Sequence, residues 1–249
     1  MQALGVDIGG SGIKGAVVDI QTGEFAVKRL RIPTPSPATA DAVVDTVAQL
    51  VSEFGWKGPL GIGYPGVVKE SVVFTAANLD KSLVGFDLGN AVKTKTGLPQ
   101  VAILNDADAA GFAEIRLGEG AGVKGVVIMV TVGTGIGVAL FNNGVLLPNL
   151  EIGHIEFHGE DAESLLSEPS RKKKKLSRKR WNQRFDKYLR YLEGLFWPDL
   201  FIVVGGGIKK QDKLESVFST RTPVKFARFK NQAGIIGAAI AASENMVIR

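Results

Sequence analysis

Apolar residues come first in short runs broken by glycine-rich turns, and a helical period appears only later. Ala3 to Ile8 reads as a strand, Gly9-Gly10-Ser11-Gly12 as a turn and Ile13 to Asp19 as a second strand. Gln21-Thr-Gly-Glu24 turns the chain again into a third predicted strand, Phe25 to Ile32. Pro33, Pro35 and Pro37 then mark an extended connector, because proline fixes φ and lacks the amide a helix interior needs. Between Thr39 and Phe54, Val43, Val44, Val47, Leu50 and Val51 recur with a helical period, and Thr39 and Gly55 are the expected caps. Leu60 to Tyr64 predicts a strand, followed by the apolar runs Val67-Val68 and Val72-Val73-Phe74. Thr75 to Lys81 is a polar loop, Phe86 an apolar anchor, and Asp87 to Thr96 a helix stopped by Gly97.

The next stretch organises the rest. Val101-Ala-Ile-Leu104 reads as a buried strand that ends at Asn105-Asp106, with a helix predicted from Asp106 to Leu117. Asp106 thus falls at the carboxyl end of a strand, where α/β folds keep their ligand crevices. No Lys or Arg lies within nine residues of it on either side. Two readings stand open at this point: a helix cap, or a carboxylate placed for proton transfer. Gly118-Glu-Gly-Ala-Gly122 is a flexible break and the candidate domain boundary. Beyond it, Val126 to Val132 and Ile136 to Phe141 pair around a second glycine turn, and Asn142-Asn-Gly144 signals another tight turn. A polar-lined segment, Glu151 to Glu156, follows. A helix from about Arg180 to Leu195 places Trp181, Phe185, Tyr188, Leu189 and Leu192 on one face. Leu200 to Val204 is a strand ending in Gly205-Gly206-Gly207, and Ala233 to Ala242 a closing apolar helix. Each half therefore opens on a glycine-turned hairpin and continues into α/β units, a repeat of architecture without a repeat of sequence.

Composition narrows the chemistry. The 249 residues contain no cysteine, which excludes disulfides, thiolate catalysis and any Cys-based zinc site. Met1 to Asp7 has no basic segment and meets an acid at once, so a cytoplasmic protein with no secretion signal is expected. The longest uncharged stretch, Gly125 to Leu150, carries five glycines, three asparagines and a proline, and reads as hairpins rather than a membrane span. The net charge of +5 is concentrated: residues 171–180 hold eight basic residues and no acid, and without them 22 basic residues face 25 acidic ones. Such a run repels itself within a helix. It is a solvated face, a nucleic-acid contact or a track for another polyanion.

Two glycine motifs are decoys. Gly10-Ser-Gly12-Ile-Lys-Gly15 matches G-x-G-x-x-G, but a strand-like run follows where a dinucleotide fold needs a helix. The protein-kinase reading fails for lack of H-R-D and D-F-G, and no P-loop pattern occurs. What remains is Asp7-Ile-Gly-Gly-Ser-Gly12 and Thr131-Val-Gly-Thr-Gly135-Ile-Gly137. Turns without Cβ atoms let backbone amides approach phosphate oxygens closely.

Asp7 to Lys14, Asn105-Asp106-Ala-Asp108, Val132 to Gly137, Glu151-Ile-Gly-His154 and Gly205 to Gly207 stand in the order of the ROK sugar kinases, and the chain resembles that family over nearly its whole length. Thr75 to Ser82, Glu151 to Glu156 and the tail from Ser216 to Ala239 resemble its polyphosphate glucokinase branch. The family's Cys-rich zinc motif is missing, which fits that branch, and no helix-turn-helix extension points to a repressor. Leu83 stands where the branch is expected to carry Trp. The resemblance implies an α/β, actin-like (ribonuclease H-like) two-lobed fold with a central cleft. Residues 1–118, completed by a C-terminal helix at about 233–249, would form the small lobe, and 119–232 the large one. It implies transfer of the terminal phosphoryl group of polyphosphate to the 6-hydroxyl of glucose, with an ATP-dependent glucokinase or a non-catalytic polyanion binder as alternatives.

The resemblance assigns residues as well. Asp106 would be the general base, and Asp7 would hold Mg²⁺ through water, with no zinc. Gly9, Gly10, Ser11, Gly12, Lys14, Thr131, Gly133, Thr134, Gly135 and Gly137 would bind the phosphate donor. Asn78, Asn105, Asp106, Glu151, His154 and Glu156 would bind sugar, and His158 would be structural or exposed. Gly205 to Gly207 would seat the base in a nucleotide-using relative. Lys172, Lys173, Lys174, Lys175, Arg178, Lys179 and Arg180 would form a polyphosphate track, with nucleic acid the disfavoured partner and ATP or another nucleoside triphosphate the second donor. A homodimer without membrane association is expected on the same ground.

Overall fold

The computed structural model describes residues 1–205 and 218–248. The chain divides into two compact units, Met1–Ala113 with Gln232–Arg249, and Glu114–Asn231.

The first unit is built on a five-stranded sheet. β1 (Gln2–Gly9) and β2 (Gly12–Asp19) form an antiparallel hairpin, β3 (Leu30–Ile32) extends it, and β4 (Leu60–Tyr64) and β7 (Val101–Asn105) continue parallel to β1, giving the order β3-β2-β1-β4-β7. A small ribbon of β5 (Val68–Lys69) and β6 (Val72–Val73) stands apart. Helix α1 (Ala40–Glu53) buries the predicted stripe of Val43, Val44, Val47, Leu50 and Val51. Thr39 Oγ1 accepts the Ala42 amide at its start, and Gly55 carries the chain away at φ +54°. α2 (Leu88–Thr96) opens on Asp87, which accepts the Asn90 amide, and ends on left-handed Gly97.

One helix has no polar face. α7 (Ala233–Ser243) buries Ala233 and every residue from Ile235 to Ala242, because it lies against sheet positions that are themselves glycine. A Cβ on Gly5 would stand 1.9 Å from the Ile235 carbonyl oxygen, and one on Gly61 1.8 Å from that of Ala238. Helix and sheet approach at backbone distance. Small residues on both sides are the condition for that approach.

The second unit repeats the plan. β8 (Val126–Val132), β9 (Ile136–Asn142) and β10 (Val145–Leu147) run antiparallel, then β13 (Leu200–Gly205) and β14 (Val224–Phe226) continue parallel, in the order β10-β9-β8-β13-β14. Here α6 (Arg178–Phe196) fills the space beside the sheet with Trp181, Phe185, Tyr188, Leu189 and Leu192. Trp181 and Phe185 stack at 5.1 Å, and the Trp181 indole donates to the Leu166 carbonyl at 2.7 Å. A ribbon of β11 (Glu156–Phe157) and β12 (Glu160–Asp161), with short helices α4 (Ala162–Leu166) and α5 (Glu168–Lys173), completes it.

Two expectations change. The third strand is only Leu30–Ile32: Phe25 makes an isolated bridge to Val18, and no ladder covers the residues between. Residues 118–122 are no flexible break. The buried Glu114 carboxylate accepts the amides of Glu119 at 3.0 Å and Phe229 at 2.9 Å, while its carbonyl accepts those of Gly118 and Gly120. The 171–180 run is divided between two helices: α5 ends at Lys173, Lys175 turns at φ +50°, and α6 starts after Ser177, which accepts the Arg180 amide. Among the described residues no helix is long and apolar enough to cross a membrane.

Candidate functional site

In the first unit the polar groups gather at the carboxyl ends of the parallel strands. Register places Asp7 of β1 beside Gly63 of β4, and Tyr64 beside Asn105 of β7. A Cβ on Gly63 would meet the Asp106 Cα at 3.7 Å, an ordinary contact distance that places the start of α3 beside that strand. Asp106 is the first residue of α3 (Asp106–Leu117). The cap proves to be its neighbour: Asn105 Oδ1 accepts the amides of Ala107 at 2.8 Å and Asp108 at 3.2 Å. Asn105 Nδ2 donates to the Gly66 carbonyl at 3.2 Å, which fastens the turn after β4 to the end of β7. Much of the Asn105 amide is therefore spent on structure. Asp106 itself is part-exposed at the first turn of α3, where helix dipole and carboxylate attract.

Asp7 faces Lys14 across the β1–β2 hairpin, with Lys14 Nζ 3.1 Å from Asp7 Oδ2. The turn joining these strands is held from β3 and the connector after it: Arg31 donates to the Ser11 carbonyl at 2.6 Å, and Thr34 to that of Gly9. Gly10 would tolerate a Cβ only in contact with Asn78, 3.7 Å away, which puts the Asn78 loop beside the turn. Leu83, by contrast, is buried in the core of this unit.

The second glycine turn is tied differently. Gly137 donates to Thr131 Oγ1 at 3.2 Å across β8–β9, and the Glu168 amide donates to the Gly133 carbonyl at 3.1 Å. Glu163 of α4 accepts the Ile136 amide at 3.0 Å, and its Oε2 would lie 2.3 Å from a Cβ on Gly135. Among the described residues nothing stands where a Cβ on Gly133 would be, and Gly133 and Thr134 are exposed. Such a turn leaves room for an anion against its backbone.

Beside it, Glu151 precedes a single 3₁₀ turn, Ile152–His154. Burial pushes the Glu151 carboxyl above its usual value and the Glu163 charge adds to this, against His154. His154 Nδ1 lies 2.9 Å from Asp161 Oδ2; that hydrogen bond raises the imidazole pKa, burial opposes it, and the charge of Glu163 adds to it. Burial works to raise the Asp161 carboxyl, but the His154 and Ser164 hydrogen bonds outweigh it and hold the group low. An ionised carboxylate only accepts, so Nδ1 carries the proton. Glu151, His154 and Glu163 thus share one electrostatic neighbourhood. Glu156, exposed like Glu151 and His154, pairs in register with Asp161 across the ribbon. His158 is exposed at φ +54°.

Asp161 and Glu163 join these groups without belonging to any of the motifs above. Asp161 had a signal, because an Asp three residues before Ser164 and ahead of an apolar run is a cap pattern, and it does accept the Ser164 amide at 3.1 Å. Glu163 had none. Gly206 and Gly207 lie outside the described residues, and Gly205 ends β13 against Val132.

The basic run is partly neutralised. Glu168 pairs with Arg171 at 2.8 Å and Arg178 at 3.1 Å; the Arg171 hydrogen bond, against burial, and the Arg178 charge hold its carboxyl at about 2. Lys174 reaches Glu160 at 3.1 Å. Lys172, Lys173, Lys175, Lys179 and Arg180 make no side-chain pair among the described residues.

Comparison with known proteins decides the family. The ROK family pattern matches residues 3–165. The chain belongs to the ROK family. Polyphosphate glucokinase of Mycobacterium tuberculosis (strain CDC 1551 / Oshkosh) is 47% identical over 238 residues, spanning 96% of this chain and 90% of that protein. The crystal structure of an inorganic polyphosphate/ATP-glucomannokinase from Arthrobacter sp. strain KM superposes with a TM-score of 0.91 at 42% identity, covering 98% and 99% of the two chains. A ROK family glucokinase from Streptomyces griseus, solved with glucose and AMPPNP, gives 0.83 at 25% identity over 98% and 100%. The fold is accordingly that of the ROK sugar kinases, of the actin-like ATPase type, with the two five-stranded sheets described above.

Proposed function

We propose that this ROK protein transfers the terminal phosphoryl group of inorganic polyphosphate to the 6-hydroxyl of glucose. The observation that carries the reading is the 47% identity to a polyphosphate glucokinase over 96% of the chain, joined to an intact Asn105-Asp106 element. Asp106 takes the proton of the 6-hydroxyl as the oxygen bonds to the terminal phosphorus. The bond from that phosphorus to the bridging oxygen breaks, and the shortened polyphosphate leaves with the electron pair. Such a reaction asks chiefly for alignment and charge stabilisation. Gly9, Gly10, Ser11, Gly12 and Lys14 on one turn, and Thr131, Gly133, Thr134, Gly135 and Gly137 on the other, bind donor phosphates.

Asn78, Asn105, Asp106, Glu151 and His154 hold the sugar, and Glu163 joins them because its charge acts on both Glu151 and His154. Asp161 is a positioning residue. It pins the Nδ1–H of His154 and leaves Nε2 for a sugar hydroxyl. Asp7 suits a Mg²⁺ held through water: its part-exposed carboxylate stands at a strand end, and magnesium keeps most of its hydration and takes its other oxygens from phosphate. When bound, the ion neutralises charge on the donor. Lys172, Lys173, Lys175, Lys179 and Arg180 serve a long anionic donor, since the paired Arg171, Lys174 and Arg178 are already committed. Resemblance to the family supports a cytoplasmic homodimer.

The test is to supply purified protein with glucose and Mg²⁺ and, separately, polyphosphate or ATP. Glucose 6-phosphate from polyphosphate is the expected product. Formation from ATP alone overturns the donor, and formation from neither overturns the enzyme.

A further inference from the structure

Beside α6 and the β11–β12 ribbon, the second unit holds a cavity of about 410 Å³ to which phosphoryl transfer gives no role. The volume is that of a site for a small ligand. Part of its lining is a wall of rings: the Phe157 centroid lies 4.4 Å from that of His158 and 5.5 Å from that of Tyr191. Lys187, Arg190 and Arg221 make another part cationic. Among the described residues Glu193 is the one acid in the lining, and its charge is already engaged. Its carboxylate accepts the Thr222 amide at 2.7 Å and meets Arg221 Nε at 3.4 Å. Arg221 is further held by stacking on Trp197, 4.0 Å from the ring centroid. Lys187 and Arg190, both exposed, have no hydrogen bond or ion pair to a side chain among the described residues, unlike Arg171, Lys174 and Arg178 on the same unit.

Gly194 adds a separate observation. It sits within α6, where glycine costs about 1 kcal/mol relative to alanine. Among the described residues nothing lies within 4 Å of where its Cβ would be, so none of them demands a glycine. Its place in the lining accounts for the choice: a side chain there would stand in the cavity.

We propose that this cavity binds a small anion bearing a planar ring, a nucleoside monophosphate in its simplest form, at a site separate from the sugar- and donor-binding residues. Rings of the lining stack on the base, and Lys187, Arg190 and Arg221 meet the phosphate. The site does not depend on the chain being a kinase.

The experiment follows the two histidines of the intact chain by NMR during titration with adenosine monophosphate, under saturating glucose. The His158 ring resonances should shift to saturation. Adenosine alone and orthophosphate alone should each bind at least about tenfold more weakly, because each lacks half of the recognition. Arg190→Glu should weaken binding by about tenfold or more, and Gly194→Leu should abolish it, with glucose phosphorylation and melting temperature preserved in both. Four results overturn the proposal. They are no shift at His158 at millimolar nucleotide, binding that survives Gly194→Leu, orthophosphate binding as tightly as the nucleotide, and a molecular mass by light scattering that drops on Gly194→Leu, which would make this face a protein interface.

Discussion

The two sheets share one strand order yet solve the same packing problem in opposite ways. In the first unit, α7 meets β1 and β4 at backbone contact through Gly5 and Gly61, and Gly237 of α7 meets the Ala109 carbonyl just as closely. In the second, α6 fills the core beside the sheet with Trp181, Phe185 and Tyr188. The difference teaches that a repeated topology does not impose a repeated spacing. A glycine-thin contact has no space to give, whereas an aromatic-filled one has volume to lose. The two units should therefore fail under opposite kinds of substitution.

The largest effect expected is on the aromatic side. Trp181→Ala removes a fully buried indole together with its stack on Phe185 and its hydrogen bond to Leu166, and should cost about 3–5 kcal/mol in denaturant unfolding. The mirror experiment adds a single methyl group. Gly61→Ala puts a carbon 1.8 Å from the Ala238 carbonyl oxygen and should cost about 3 kcal/mol, at the upper end of overpacking. Gly194→Ala, a glycine substitution inside a helix and in open space, should instead stabilise by up to about 1 kcal/mol. If Gly61→Ala and Gly194→Ala unfold alike, the contrast between the two units fails.

A smaller effect separates them by pH. Glu168, held near 2 by Arg171 and Arg178 against an ordinary 4.5, binds its proton more readily in the unfolded chain. Its contribution is fully present above about 4.5 and is lost as pH falls toward 2. Glu168→Gln should cost about 1–3 kcal/mol at pH 7, and its melting temperature should converge on that of the parent protein across this window. A constant gap at all pH values would mean that the guanidinium pairs do not set the shift.

The smallest signal is spectroscopic. With Asp161 in place, His154 titrates above 6.5, so the charged imidazole is favoured below that raised value and lost as pH climbs through it. Asp161→Asn should move this titration down toward 6.5, with the apparent KM for glucose rising more than kcat falls. No movement of either His154 or KM removes the positioning role.

Much of this was legible in the chain where the signal is local. Thr39, Asp87 and Gly97 announced their helix ends, and the two glycine turns announced the repeat, because caps and turns depend on residues a few positions apart. At Asn105-Asp106 the pattern offers Asp106 as helix cap or as base, and the hydrogen bonds correct the cap to Asn105. What stayed hidden is non-local. Glu163 reaches the Ile136 amide across 27 residues, and the reason for Gly5 and Gly61 lies in a helix near the far end of the chain. The supposed flexibility at 118–122 failed for the same cause: glycine count suggests freedom, but a buried Glu114 holds the turn.

The proposed role of Asp106 rests on one division of labour, in which Asn105 caps α3 and Asp106 does chemistry. Single-turnover and steady-state kinetics of Asp106→Asn, with polyphosphate as donor, address it directly. The account predicts an unchanged melting temperature, glucose affinity within a few-fold of the parent, and kcat lower by about 100-fold or more. An Asp106→Asn protein that folds normally and keeps most of its turnover would contradict it.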